Sequence, residues 1–247
     1  MESFLDIFYL RGKVSPNVFL WFLIVLFIAE ILFHLFMKII NSVGWDGSIG
    51  IVIFTCGLIG YELSGKTLPF GIGIAFTAIV FFGFGYVINK INFRKWKTLY
   101  LCLTCLLLFA LTFVFGMICN NIVIDMASAR YGKYPLFLIA GGAGSLAILL
   151  FSVILERFAN KHLSILKFWG KNSIVILVTQ YFFFLILIAV DHLILKIGTG
   201  YVSNIRAVID TIIIMAGETL IIFIINHYFP FVVGRKYENH RDNLGKI

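Results

Sequence analysis

Apolar runs of about 20 residues, separated by short polar or basic stretches, dominate the chain, and that is the length an α-helix needs to cross a hydrocarbon core. Five runs meet the length easily: residues 17–40, 69–88, 98–119, 135–155 and 173–195. A sixth, 207–229, meets it while carrying Asp210 and Glu218. A seventh, 49–61, is short enough to be either a thin crossing or a re-entrant piece. The runs are continuous, with none of the alternation that a membrane β-barrel requires. The pattern therefore predicts an all-α fold, a polytopic membrane helix bundle of about seven transmembrane helices, or six if 49–61 is re-entrant.

Composition narrows what such a bundle can be. Of 247 residues, 61% are apolar and 13% charged, with 27 phenylalanines. A soluble domain carries about 25% charged residues, so the surface must face lipid. Disordered, collagen-like, disulfide-stapled and ordinary cytosolic classes are excluded. The net charge of +8 does not indicate nucleic acid, because the 20 basic residues sit between the apolar runs, as membrane orientation demands. Cys56, Cys102, Cys105 and Cys119 lie in or beside apolar runs, so no disulfide framework is expected. Cys102 and Cys105 form a CxxC flanked by Leu and Thr, which reads as helix packing, and no metal site is expected. The opening MESFLDIFYLRGK is acidic first and basic later, unlike a signal peptide.

The basic residues also set orientation. With seven crossings one side holds Arg11, Lys13, Lys66, Arg130, Lys133, Lys196 and Arg206, leaving thirteen opposite; the C-terminus is then cytoplasmic and the N-terminus outside. With six crossings the split is fourteen to six and both ends lie inside. Both versions put 90–97, 157–171 and 235–246 in the cytoplasm. One membrane domain is expected over 1–247, with 1–16 an external segment and 230–247 a cytoplasmic tail. Residues 120–134 read as an external loop, 156–172 as a basic amphipathic cytoplasmic one, and 93–97 as an interfacial anchor around Trp96.

An ionisable group inside a span costs about 2.5–3.5 kcal/mol on insertion scales, so each needs a partner or a purpose. Glu30 and His34 are four apart on the first run, hence on one helix face, and suit a general base tuned by burial. A mutually satisfied structural pair facing the bundle is the plainer alternative. Glu218 stands mid-span without a local partner, as a substrate contact, a pore-lining group or a structural hydrogen bond. Asp210 is placed to pair with Arg206, and Asp191 and His192 lie at similar depth. Gly141, Gly142 and Gly144, with Ser145, form a small-residue face for close packing. The GxG pairs Gly71/Gly73 and Gly83/Gly85 lack a strand-loop-helix context, which argues against a dinucleotide site.

Three stretches, LWFLIVLFIAEILF (20–33), LKFWGKNSIVILVTQYFF (166–183) and NHYFPFVVGRK (226–236), together with the intervening LPFGIGIAFTAIVFFGFGYVINK, occur in one order across most of the chain. They resemble the membrane acyltransferase 3 family, in particular its sugar O-acetyltransferases. The resemblance implies acyl transfer from acetyl-CoA or another acyl-CoA to a sugar or glycan hydroxyl. It implies no bound cofactor, and it suggests Trp21, Asn172, Ser173 and Gln180 as substrate contacts; the ionisable groups within the spans add Glu218 to these, with Glu30 and His34 as candidate catalytic residues. The family's usual N-terminal helix with its His has no counterpart, so the chain resembles the family from about its fourth helix onward, and the segment on its own is expected not to transfer acyl groups. Where the family often has a His seven residues after the Ser of GKNS, this chain has Gln180, which hydrogen-bonds but cannot shuttle a proton.

Expected partners are the lipid bilayer, acyl-CoA, a sugar or glycan acceptor, and a missing N-terminal segment or a second copy, with a bacterial cytoplasmic membrane as location. Acyl-CoA phosphates would meet cytoplasmic cations such as Lys90, Arg94, Lys95, Lys167 and Lys171. Two other classes fit the same buried charges: a transporter of a small molecule or lipid-linked glycan, with Glu30, His34 and Glu218 along its path, and a non-catalytic membrane remnant.

Overall fold

A computed structural model describes residues 21–43, 49–66, 68–120, 122–159, 163–190 and 204–233. Among them no strand occurs, and the helices are α1 (Trp21–Val43), α2 (Ile49–Glu62), α3 (Ile72–Ile88), α4 (Thr98–Phe113), α5 (Tyr134–Ala159), α6 (Ser164–Lys171), α7 (Ser173–Val190) and α8 (Asn204–Tyr228). Six are long and apolar enough to cross a membrane once the turns beside α3 and α4 are included; α2 is shorter. The expected bundle is therefore observed. The expected segments 1–16 and 235–246, and the pair Asp191/His192, lie outside the described residues.

Three helices depart from their expected form. The run from Pro69 begins as a 3-10 turn, Pro69–Gly71, in which Phe70 and Gly71 are both left-handed (φ 56° and 64°) before α3 proper starts. Proline suits a helix start because it lacks the amide that would be unpaired there. The end of the third long run, Val114–Cys119, is a π-helical continuation of α4. Of the segment read as a basic loop after residue 155, residues 156–159 continue α5 and Ser164–Lys171 form α6.

The chain forms two compact units, Met1–Leu163 and Ser164–Ile247. In the first, α2 runs antiparallel along α3: Gly57 meets Val80, Gly83 meets Ile53, and Gly60 meets Thr77 and Tyr134. A methyl on Gly60 would stand 2.6 Å from the Tyr134 hydroxyl and 3.2 Å from the Thr77 amide nitrogen, so only glycine permits this approach. The glycine face of α5 packs as expected, Gly141 on Phe81, Gly142 on Phe84 and Gly144 on Thr112. Cys105 is buried with its thiol toward the Ala147 carbonyl, while Cys102 is exposed. Two apolar clusters result, one around Val25, Ala29, Ala75 and Ile79, the other around Phe93, Leu101 and Leu150.

The connection between α4 and α5 is folded tightly. Asn120, 1% exposed, donates to the Tyr131 carbonyl (3.0 Å) and accepts from the Lys133 amide (2.7 Å). Asp125 and Arg130 exchange two backbone bonds of 2.9 Å, and the Asp125 carboxylate accepts from the Ala127 amide, an Asx turn. The Ala129 carbonyl in turn accepts from the Gly65 amide and the Ser64 hydroxyl, tying this loop to the α2–α3 turn. At the opposite end of α4, Arg157 of α5 donates to the Arg94 and Trp96 carbonyls (2.7 and 2.8 Å) and to the Thr98 hydroxyl (2.9 Å).

Because α2 follows α3 from the level of Thr77 to that of Gly83, we expect it to cross, giving seven crossings. A cysteine introduced at Asp46, with the four native cysteines replaced, should then resist a membrane-impermeant maleimide in intact cells, whereas one at exposed Val123 should react. Reaction of the Asp46 cysteine from outside would leave six crossings.

Candidate functional site

The first unit carries a row of ionisable groups. The buried face of α1 is Val25, Ala29 and Phe33, at 2%, 0% and 8% exposure. One residue further on, hence about 100° around the helix, lie Glu30, His34 and Lys38, one per turn. They line a groove of about 930 Å³ with Phe27, Met37 and Tyr86 of α3. Phe33 fixes this arrangement by packing on Phe82 and Tyr86, at ring separations of 5.9 and 6.2 Å.

The two residues expected to act together thus share one groove. They are exposed, and neither makes a hydrogen bond or ion pair among the described residues. This departs from a satisfied pair facing the bundle: the apolar row Val25, Ala29, Phe33 takes the buried face, and a polar row 100° away is left beside it. Its carboxylate, imidazole and ammonium can exchange protons with, and stabilise charge on, a molecule in the groove.

The second unit holds its polar groups between helices. Glu218 of α8 is fully buried and accepts from the Thr179 hydroxyl of α7 at 2.5 Å. Thr179 also lies 2.8 Å from the Val175 carbonyl, so one hydroxyl proton faces two acceptors. The second Glu218 oxygen, Oε1, has no hydrogen-bond partner among the described residues. Beside it the Phe183 ring occupies the place a side chain at Gly217 would take. Asn172, 2% exposed, donates to the Phe168 carbonyl (2.7 Å) and accepts from Asn226 (3.1 Å). The Trp169 indole donates to Thr219 at 2.9 Å.

Of the expected contacts, Asn172 and Glu218 therefore lie on one α7–α8 seam, Gln180 is half-buried and Ser173 is exposed. Trp21, in the first unit, is half-buried with its ring edge-on to Phe22 at 6.1 Å. Asp210 pairs with Arg206 at 3.7 Å as expected. Thr179, Thr219, Asn226 and Trp169 were not anticipated. A signal was present: Asn172/Thr179 and Thr219/Asn226 are each seven apart, placing each pair on one helix face.

A third polar cluster lies near the α4–α5 loop. The Thr77 and Tyr134 hydroxyls are 3.1 Å apart, with Tyr61 tilted against Tyr134 at 5.6 Å and Tyr131 edge-on to it at 5.3 Å. Tyr131 is 1% exposed and its hydroxyl lies close to Thr77 without meeting hydrogen-bond geometry to any of the described residues. Burial pushes its phenol above the ordinary value, against a smaller opposing pull from Thr77, so it stays a neutral donor.

No curated protein and no solved structure matches the chain. The family model described as an acyltransferase domain matches residues 3–233, which takes in all the helices above and both polar sites. With an all-helical bundle of membrane-spanning length under that match, the chain belongs to the acyltransferase 3 family and is an integral membrane protein.

Proposed function

We propose, against the expectation from the sequence that this segment alone is inactive, that the chain performs O-acyl transfer, moving an acyl group from acetyl-CoA or another acyl-CoA to a hydroxyl of a sugar or glycan, in a bacterial cytoplasmic membrane with its C-terminus inside; His34 takes the place of the family's base that has no counterpart in the sequence. The observation that supports this most is the groove in which His34 and Glu30 stand one turn apart with no competing partner among the described residues, in a chain of this family. The His34 imidazole accepts the proton of the acceptor hydroxyl as its oxygen bonds to the thioester carbonyl carbon. Glu30 favours the imidazolium by its charge, and Lys38 one turn along offsets the negative charge on the carbonyl oxygen. When the C–S bond breaks, the thiolate takes the proton back from His34, leaving the acyl ester and free coenzyme A. The second unit, taken by itself, offers Glu218 Oε1 and Gln180 as hydrogen-bonding groups for a hydroxylated ligand.

The test is the purified chain in liposomes with radiolabelled acetyl-CoA and a mixture of glycan acceptors. Label in the acceptor above a protein-free control supports acyl transfer; none, with a verified fold, removes it. One observation favours a transport path as a second reading: a buried carboxyl inside a span with one oxygen unpartnered among the described residues. Solute flux without any acyl donor, abolished by Glu218→Gln, would decide for it.

A further inference from the structure

A separate groove of about 630 Å³ lies between α3, the turn after it and α5. Its wall is apolar, with Phe81, Phe84 and Leu149 on it, and its mouth is formed by Asn89, Lys90, Asn92 and Arg94. The wall belongs to two helices of membrane-spanning length and the mouth to the polar turn that ends one of them. Leu149, Gly85 and Ser145 are exposed along it, so it opens sideways. Trp96, ring-packed on Phe93 at 5.2 Å, marks the adjoining turn as interfacial.

We propose that this groove holds one anionic phospholipid, its phosphate between Lys90 and Arg94 and one acyl chain along the Phe81, Phe84 and Leu149 wall. Arg94 bonds Glu156 at 3.0 Å, and Arg157, which donates to the Arg94 and Trp96 carbonyls, adds a further cation, so Lys90, Arg94 and Arg157 against Glu156 leave a net positive mouth that suits a phosphodiester. The sideways opening, and not the charge, favours this occupant over a larger phosphate carrier arriving from water. Lys90 lines this groove, with its ammonium over the Tyr86 ring, 5.2 Å from the centroid. The Asn89 and Asn92 amides add neutral donors for the remaining phosphate oxygens. A sideways opening lets a lipid enter from the bilayer with its chain already out of water, and basic pockets between spans are where anionic headgroups bind. The Ser145 hydroxyl is spent on the Gly141 carbonyl (2.8 Å) and does not compete. The site is independent of acyl transfer and stands or falls without it.

The test uses the full chain in nanodiscs of phosphatidylcholine with a minor fraction of phosphatidylglycerol, extracted gently and weighed by native mass spectrometry. One phosphatidylglycerol per chain is expected to remain bound. Gly85→Leu fills the groove while leaving every charge in place, because no atom lies within 4 Å of where its Cβ would sit; it should lower retention at least about tenfold. Ser145→Leu, on the opposite wall, should do the same, so one misfolded variant does not decide the matter, and Lys90→Gln should weaken retention with the groove open. Retention unchanged in both filling variants means attraction to the basic surface only and overturns the site, as does absence of retained lipid in the parent. Displacement of the lipid by equimolar acetyl-CoA overturns the lipid assignment and gives the groove to the acyl donor.

Discussion

His34→Ala is expected to lower acyl transfer on the order of 10²–10⁴-fold, the usual contribution of a positioned general base, without lowering the yield of folded protein. His34 is exposed on α1 and makes no hydrogen bond or ion pair among the described residues, so its removal leaves no buried group unpaired. Glu30→Gln keeps the size and hydrogen bonding of the side chain and removes the charge that favours the imidazolium; a smaller loss in kcat with little change in KM is expected. The measurement is initial rate in liposomes with labelled acetyl-CoA, alongside a thermal unfolding curve for each variant. Full activity in both variants would return the row on α1 to a structural or packing role and move the chemistry elsewhere.

Asn120→Ala should be the most damaging single change outside the two polar sites. It leaves the Lys133 amide without an acceptor and the Tyr131 carbonyl without a donor; the buried carbonyl costs about 1–3 kcal/mol, and the part-buried amide less because water can reach it. Gly132 depends on the same contact, since a Cβ there would collide with the Asn120 carboxamide, and its φ of 63° already excludes most other residues. Tyr131→Phe is the contrasting variant: its hydroxyl meets hydrogen-bond geometry to none of the described residues, so deleting it should be neutral or slightly stabilising. Unfolding temperature in detergent checks the set, with Val123→Ala at an 87% exposed position as the neutral reference. An Asn120→Ala protein as stable as the parent would show that the loop does not hold the outer ends of α4 and α5 together.

The spans were legible because crossing a bilayer imposes a length and an apolar content that the sequence displays directly, as in the run from Thr98 to Cys119. What escaped was local. Neither the left-handed kink at Phe70 nor the π continuation at Val114 changes hydropathy, so neither leaves a mark in an apolar run. The i,i+4 spacing placed Glu30 and His34 on one face, yet only the packing of Phe33 against Phe82 decides that this face borders a groove. Burial of Glu218 followed from its position mid-run, whereas Thr179 as its partner requires knowing how α7 and α8 pair. Asn120 looked like ordinary loop composition, because a polar residue near a span end reads as solvated whether or not the loop folds over it.

The Arg157 clamp ties the geometry of one turn to a residue about sixty positions away. The backbone around Arg94 and Trp96 owes two of its acceptor contacts to a single planar fork, and a lysine at 157 would offer a point charge where divergent donors are needed. The segment between α3 and α4 closes its own turn but gains these contacts only once the far end of α5 has been made. Chain synthesis delivers that end last within this unit, so the mouth of the α3–α5 groove is completed only after the helices that form its walls have begun.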